Sequence, residues 1–188
     1  MIMNGPTTLP EVIIIEPKVF SDPRGWFQET YSLRDFKKLG IDTTFVQDNH
    51  SYSERKGVLR GMHYQAAPFE QAKLVRCTRG SILDVVVDLR EGSPRFGRWM
   101  SLVLSAENRR QLFVPKGFAH GFLTLEDGCE VQYKVDGYFN AENERTIRYD
   151  DPDIGIEWGI DEPILSEKDR KAPYLRERFA SLAKEDHQ

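Results

Sequence analysis

Two histidines, His63 and His120, are the side chains of this sequence best suited to proton transfer. An imidazole titrates near neutral pH, so it can accept or release a proton under cellular conditions. His63 lies in the strand-like segment 57–65, in which Gly61 and His63 would face one side and Arg60 the other. The small Gly61 leaves room beside the imidazole, which favours contact with a ligand. For both histidines the alternative is a hydrogen-bonded structural residue.

Base catalysis also needs an acid and a positive charge, and three further residues could provide them or support the base. Tyr133 shares a strand face with two valines, so its phenol would point to the interior, as a proton donor or as a core tyrosine. Lys73 opens a strand and could stabilise an oxyanion, or lie at the surface. Asp169 could orient an imidazole, although an exposed carboxylate is the ordinary alternative.

The same histidines raise the possibility of a metal site. Metal sites of comparable β-barrels use a His-x-His pair, a carboxylate and a later histidine. Gln65 stands where the second histidine of such a pair would be, and the next glutamate is Glu70. One imidazole from each of two strands is a poor transition-metal site. We therefore predict metal-free chemistry, with a metal-dependent enzyme as the alternative.

Short apolar runs separated by turn residues must position these groups. They occupy residues 12–15, 26–31, 83–89, 99–104, 112–114, 118–125 and 130–135. In the run 83–89 apolar residues alternate with Asp84, Val86 and Asp88, a pattern typical of a strand with at least one buried face. A helix is predicted over 32–40 and a polar helical tail over 165–188. Many short strands without alternating helices indicate an all-β sandwich or barrel, in one domain spanning 1–188 with its core at 13–160.

Length and composition fit this fold and exclude several classes of function. The 188 residues are 39% hydrophobic, enough for a packed core. A net charge of −4 argues against nucleic-acid binding, although a few converging basic residues could still bind a small anion. No apolar run approaches the roughly 18 residues that cross a membrane. Two cysteines and a start without signal-peptide character predict a cytoplasmic protein.

Five segments, taken in order along the chain, are distinctive enough to compare with a known family. They are DPRGWF at 22–27, QDNHS at 47–51, GVLRGMHYQ at 57–65, FVPKGFAHGF at 113–122 and YDDP at 149–152. Together they closely resemble the dTDP-4-dehydrorhamnose 3,5-epimerases, sugar-nucleotide epimerases of the cupin-type jelly-roll superfamily, over residues 13–175. The resemblance implies a homodimeric jelly roll with a few short peripheral helices and no metal or other cofactor. It also implies that dTDP-4-dehydro-6-deoxy-D-glucose is inverted at C3 and C5 for dTDP-L-rhamnose synthesis.

The resemblance also implies roles for individual residues. His63 would be the proton acceptor with Asp169 as its partner, Tyr133 the proton donor, and Lys73 the group that stabilises the enolate. The side chains implied to bind substrate are Arg24, Phe27, Glu29, Gln47, Asn49, Arg60, Lys73, His120, Tyr138, Phe139, Glu144 and Lys168. In such dimers the N-terminal strand of one subunit contributes to the other's site, which would account for Arg24 and Glu29.

Position 139 departs from the family's pattern. Members usually have tyrosine where this sequence has Phe139, a residue implied to stack on the thymine ring. Phenylalanine keeps the stacking face and loses the hydroxyl, which puts control of the second epimerisation in doubt. The alternatives are a mono-epimerase, an epimerase of a related nucleotide-4-keto sugar, a metal-dependent cupin, and a nucleotide-sugar-binding module that exchanges no protons.

Overall fold

Two facing antiparallel β-sheets form the body of the protein in a computed structural model, which describes residues 2–3 and 8–177. The strands are β1 (Ile2–Met3), β2 (Ile13–Glu16), β3 (Val19–Asp22), β4 (Gly25–Gln28), β5 (Gln47–Ser53), β6 (Leu59–Gln65), β7 (Lys73–Arg79), β8 (Ser81–Asp88), β9 (Trp99–Ser105), β10 (Gln111–Val114), β11 (Phe118–Thr124), β12 (Cys129–Val135) and β13 (Glu144–Thr146). The helices are α1 (Leu33–Lys38), α2 (Glu167–Arg170) and a single 3-10 turn at Ala141–Asn143.

The order of the strands identifies a β-sandwich. One sheet has six strands in the order β1-β2-β10-β7-β12-β5, and the other has five in the order β13-β6-β11-β8-β9. Strands β3 and β4 form a separate hairpin. The predicted runs between 83 and 135 coincide with β8 to β12 to within two residues, because alternating apolar side chains mark strands that pack between layers. The all-β sandwich prediction is therefore confirmed.

Apolar side chains are buried both between the sheets and on their outer faces. Val75 and Val131 of the six-stranded sheet pack against Val86 and Phe122 of the five-stranded sheet. On the outside, α1 covers the six-stranded sheet. A covering segment, residues 147–175, packs on the outer face of the five-stranded sheet. Strand β8 is consequently buried on both faces, not only on one.

The inward face of β8 carries two carboxylates into the interior. Asp84 and Asp88 lie on the inward face of β8, and both are 0% exposed. Asp88 pairs with Arg90, whose Nη2 donates to its carboxylate at 2.7 Å. Asp84 pairs instead with His120, a residue of the candidate site.

A close contact between two glycines shifts the register between β6 and β11. Gly61 has a φ of +138°, which residues with a side chain rarely adopt, and a Cβ there would lie 2.5 Å from the Gly121 Cα. The pairing of β11 with β6 shifts between His120 and Phe122. The prediction that Gly61 leaves open space beside His63 is therefore wrong, because the backbone of the neighbouring strand fills that space.

The two ends of the chain also differ from prediction. Leu9, Val12 and Leu175 are buried, so the core extends beyond 13–160. Between residues 165 and 177 the predicted tail contains the four-residue α2 and a helical turn beginning at residue 175, and residues 178–188 lie outside the described residues. No helix within 2–3 and 8–177 has the length and apolar character needed to cross a bilayer.

Candidate active site

A cavity between the two sheets brings most of the predicted site residues together. Its larger part, the main cavity, has a volume of about 640 Å³. A side cavity of about 340 Å³ shares four of its lining residues: His63, Lys73, Tyr133 and Glu144. The other predicted residues of the main cavity are Arg60, His120, Lys168 and Asp169, and those of the side cavity are Gln47, Asn49 and Phe139.

His63, which is partly buried, pairs with the buried Asp169 at the main cavity. Nε2 of His63 lies 2.6 Å from Oδ1 of Asp169, a residue only 3% exposed. Asp169 is held in turn by the start of α2, because its backbone N–H donates to Oγ of Ser166 at 3.1 Å. Since Nε2 is occupied by the carboxylate, Nδ1 is the imidazole nitrogen left to exchange a proton.

The environment of Asp169 keeps its carboxyl group ionised. Burial raises the pKa of this carboxyl, but the hydrogen bond and charge of His63, together with Ser166, outweigh burial and hold the pKa below its ordinary value. An ionised Asp169 accepts the Nε2 hydrogen of His63 and stabilises the imidazolium that forms when Nδ1 takes up a proton.

Tyr133 enters the cavity from the opposite sheet. It lies on β12 and packs against the core between the sheets, whereas His63 lies on β6. Burial raises the pKa of the Tyr133 phenol, the charge of Arg60 lowers it, and that of Glu144 raises it; the net pKa is above the ordinary value. The phenol is therefore protonated at neutral pH and can act as a donor.

Lys73 supplies positive charge close to both groups. Its Nζ lies 3.4 Å from the backbone carbonyl of His63 and donates to it. Burial lowers the pKa of Lys73 to about 8, although the negative charges of Asp84 and Glu144 raise it. The ammonium is the main form at neutral pH, and it titrates within the range in which enzymes are assayed.

A second imidazole–carboxylate pair lies beside the first. Nε2 of His120 lies 2.9 and 3.0 Å from the two carboxylate oxygens of Asp84. His120 stands directly opposite His63 in the pairing of β11 with β6. Sequence reasoning did not single out Asp84 as a site residue. The available signal was a carboxylate within an otherwise apolar strand, which is rarely buried without a partner.

Arg60 lines the main cavity together with His63, which corrects the predicted alternation. The register shift at the glycine contact is the physical reason, since it breaks the period of two that would place these side chains on opposite faces. The guanidinium of Arg60 donates to the Tyr52 carbonyl at 2.9 Å and to the Ser53 hydroxyl at 3.1 Å.

Polar pairs border the remaining parts of the site. Nζ of Lys168 donates to the Glu144 carboxylate at 2.7 Å, which joins α2 to β13. The side-chain amide of Gln47 donates to Asn49 at 2.8 Å. The short strand β13 was missed in the sequence because its three residues, Glu144 to Thr146, carry no apolar alternation.

Four predicted substrate-binding residues do not line either cavity in this single chain: Arg24, Phe27, Glu29 and Tyr138. All four are exposed. Arg24 and Phe27 lie in the β3–β4 hairpin, where Arg24 forms an ion pair with Asp22. Within residues 2–3 and 8–177, no group of three or more His, Cys, Asp or Glu side chains could hold a metal ion.

The profile of the dTDP-4-dehydrorhamnose 3,5-epimerases matches residues 6–177. The chain belongs to this family. Among its relatives, the dTDP-4-dehydrorhamnose 3,5-epimerase of Salmonella typhimurium is 52% identical over 171 residues, which cover 90% of this chain and 93% of the relative. The family is one of isomerases of dTDP-rhamnose synthesis.

Solved structures extend the comparison. A Legionella pneumophila dTDP-6-deoxy-D-glucose-3,5-epimerase in complex with dTDP-4-keto-L-rhamnose superposes with a TM-score of 0.90 at 46% identity, covering 96% of each chain. A 3'-monoepimerase of Streptomyces bikiniensis in complex with dTDP-quinovose gives 0.86 at 38% identity, covering 93% of this chain and 90% of the other. The family's cupin fold agrees with the two sheets described above and confirms the predicted jelly roll.

Proposed function

We propose that this protein inverts C3 and C5 of dTDP-4-dehydro-6-deoxy-D-glucose, forming dTDP-4-dehydro-L-rhamnose by proton exchange through enolates. The observation that carries the proposal is the placement of an imidazole and a protonated phenol on opposite walls of one cavity. His63 comes from the five-stranded sheet and Tyr133 from the six-stranded sheet. A hexose between them would present one ring face to each.

The first step is removal of a proton next to the ketone. The C4 carbonyl acidifies the hydrogens on C3 and C5, because the carbanion delocalises onto oxygen. Nδ1 of His63 takes the proton, and the charge that develops on the ring is balanced by Asp169 at Nε2. General base catalysis of this kind contributes about 10²–10⁴-fold to the rate.

The enolate oxygen then needs positive charge. Lys73 lines both cavities and carries an ammonium in the partly buried surroundings of His63 and Tyr133. Electrostatic interactions are stronger where water is excluded, and an oxyanion contact of this type contributes about 10²–10³-fold.

Inversion requires the proton to return on the other face. Tyr133 is protonated and approaches from the opposite sheet, so it delivers its proton to the face away from His63. A single acid–base group would mostly return the proton to the face from which it came. The chemistry uses residues of this chain alone and no redox step.

The exposed hairpin supports a homodimer as part of the proposal. Arg24 and Glu29 are exposed and do not line the cavities of their own chain, and Trp26 and Phe27 are 55% and 67% exposed. Insertion of the hairpin into a second copy would bury these rings and bring the arginine and glutamate to the partner's nucleotide. Phe139, at the side cavity, would stack on the base. We place the enzyme in the cytoplasm, a reducing compartment that suits its two free cysteines, Cys77 and Cys129.

The experiment is NMR of the 4-keto substrate in D₂O with the wild-type protein, His63→Ala and Tyr133→Phe. The wild type incorporates deuterium at C3 and C5 and inverts both. His63→Ala loses exchange, whereas Tyr133→Phe keeps exchange and loses inversion, because the base remains and the opposite donor is gone. Tyr31→Phe removes a hydroxyl that bonds the Thr43 carbonyl outside the cavity and serves as the control. Exchange unaffected by His63→Ala would exclude the mechanism.

A mono-epimerase is the second candidate, favoured by the departure at Phe139 and by the similarity to the Streptomyces bikiniensis 3'-monoepimerase. The same spectra distinguish the two functions. Deuterium at one carbon only, with inversion at that carbon, identifies the mono-epimerase.

A further inference from the structure

Asp84 is a wholly buried carboxylate next to the proposed active site that the mechanism above does not use. It is 0% exposed on the inward face of β8, and its side-chain hydrogen bonds go to Nε2 of His120. An ionised carboxylate without compensating positive charge is costly at such depth. Asp84 therefore needs a neighbouring positive charge in the protein, whether or not substrate is bound.

We propose that Asp84 is a positioning residue of the acid–base site. It fixes the His120 ring through Nε2 and places a buried negative charge next to the cavity that His120 and Lys73 both line. This inference rests on the proposed function. It gives His120 a defined tautomer, with Nδ1 as the remaining nitrogen, and it gives Lys73 a counter-charge that solvent screens very little.

Each carboxylate around the cavity has a hydrogen-bond partner, and Asp84 differs from the others in being wholly buried. Asp169 bonds His63 at 2.6 Å, and Glu144 bonds Lys168 at 2.7 Å. Glu144 is also only half-buried, so water weakens its effect on Lys73. The charged and titratable groups around Lys73 are Arg60 and His63 on β6, Asp84 on β8, His120 on β11, Tyr133 on β12, Glu144 on β13, and Lys168 and Asp169 on α2. Among them Asp84 is the fully buried negative charge.

Burial and charge act in opposite directions on Lys73. Burial lowers the pKa of Lys73 to about 8, and the charge of Asp84 is the first of the two effects that raise it. Loss of a nearby opposite charge shifts a pKa by about one unit or more. A lysine with a pKa near 8 is about three-quarters protonated at pH 7.5, and one with a pKa near 7 is about one-quarter protonated. Titration alone would thus reduce turnover about threefold at that pH.

The test is the pH profile of kcat between about pH 6 and 10 for the wild type and Asp84→Asn. We expect the alkaline limb of the profile to move down by about one pH unit or more in the variant. Asp88→Asn is the matched control, since Asp88 is equally buried on the same face of β8 but pairs with Arg90. It should lower thermal stability without moving the limb. An unmoved limb in a folded Asp84→Asn protein would overturn the proposal.

Two further variants keep the outcome decisive. In Lys73→Arg the side chain does not titrate below about pH 12, so Asp84→Asn added to it should no longer shift the limb. If Asp84→Asn alone does not fold, adding Lys73→Met removes both charges and should restore folding; failure of the double variant contradicts the coupling. Absence of deuterium exchange in the wild type would instead refute the proposed function, which separates the two failures.

Discussion

Replacing Gly121 by alanine tests whether the glycine contact between β6 and β11 holds the site together. A Cβ at residue 121 would lie 2.8 Å from Sδ of Met62, 2.9 Å from the Arg60 carbonyl oxygen and 3.1 Å from the Gly61 Cα. Ordinary carbon contacts are about 3.5–4.0 Å, and two of these three neighbours are backbone atoms that no rotamer change can move. Strand β6 must therefore shift by several tenths of an ångström.

The expected loss of stability follows from this overlap. Overpacking of a well-filled interior costs about 1–3 kcal/mol in the free energy of unfolding. In a domain of this size each kcal/mol lowers the Tm by about 2–4 °C, so Gly121→Ala should lower it by about 2–12 °C. Because β6 carries Arg60 and His63, the shift also disturbs their alignment with Asp169, and a misplacement approaching 1 Å can cost about 10²-fold in turnover.

The assay combines thermal unfolding with turnover of the 4-keto sugar. Gly137→Ala is the matched control, because its Cβ would meet only Cγ of Gln71 at 3.7 Å, an ordinary contact. Its stability should stay within about 1 kcal/mol of the wild type. If Gly121→Ala melts with Gly137→Ala and turns over like the wild type, the close approach of the two strands does not constrain the site.

Three further predictions concern the Asp169 partner of the catalytic histidine, the stacking residue Phe139 and the absence of a metal from the reaction. Asp169→Asn should reduce turnover and lower the free energy of unfolding near neutral pH. The difference from the wild type should shrink below about pH 4. A carboxyl whose pKa is lowered in the folded state stabilises the fold above its unfolded-state pKa, and this stabilisation is lost as the pH falls through its folded-state pKa. Phe139→Ala should weaken dTDP binding by about 10–100-fold in calorimetry, whereas Phe139→Tyr should leave it nearly unchanged. Extended dialysis against a chelator should leave the exchange rate unaltered, and loss of activity restored by a divalent metal would contradict the metal-free mechanism.

Alternation of side chains along a strand allowed some residues to be placed from the sequence. Tyr133 lies on a regular stretch of β12, and alternation was sufficient to place its phenol in the interior. For His63 alternation predicted only that the imidazole would face a ligand, because the register shift in β6 cannot be read from the sequence. The resemblance then related them to Lys73 and Asp169, which spacing alone could not do. Apolar alternation likewise predicted β8 to β12, because those strands pack between layers.

The remaining features depend on contacts between distant residues. Arg60 reaches the cavity because two glycines on different strands touch, which the alternation within one strand cannot indicate. Asp169 is buried because α2 lies against β6, although its local sequence is that of an exposed turn. Asp84 lies on the face of β8 that alternation alone would leave to solvent, and the six-stranded sheet packed against it is what buries that face.

The covering segment has a consequence for how the molecule matures. It conceals the apolar outer face of the five-stranded sheet and also carries Asp169, which lies 106 residues after His63 in the chain. Until this segment packs on the sheet during synthesis, the apolar face is exposed and His63 lacks its carboxylate partner. Packing of the segment buries the face and brings Asp169 to His63 in one step. Detachment of this segment by heat or denaturant would separate Asp169 from His63 and expose the apolar face of the sheet in the same step.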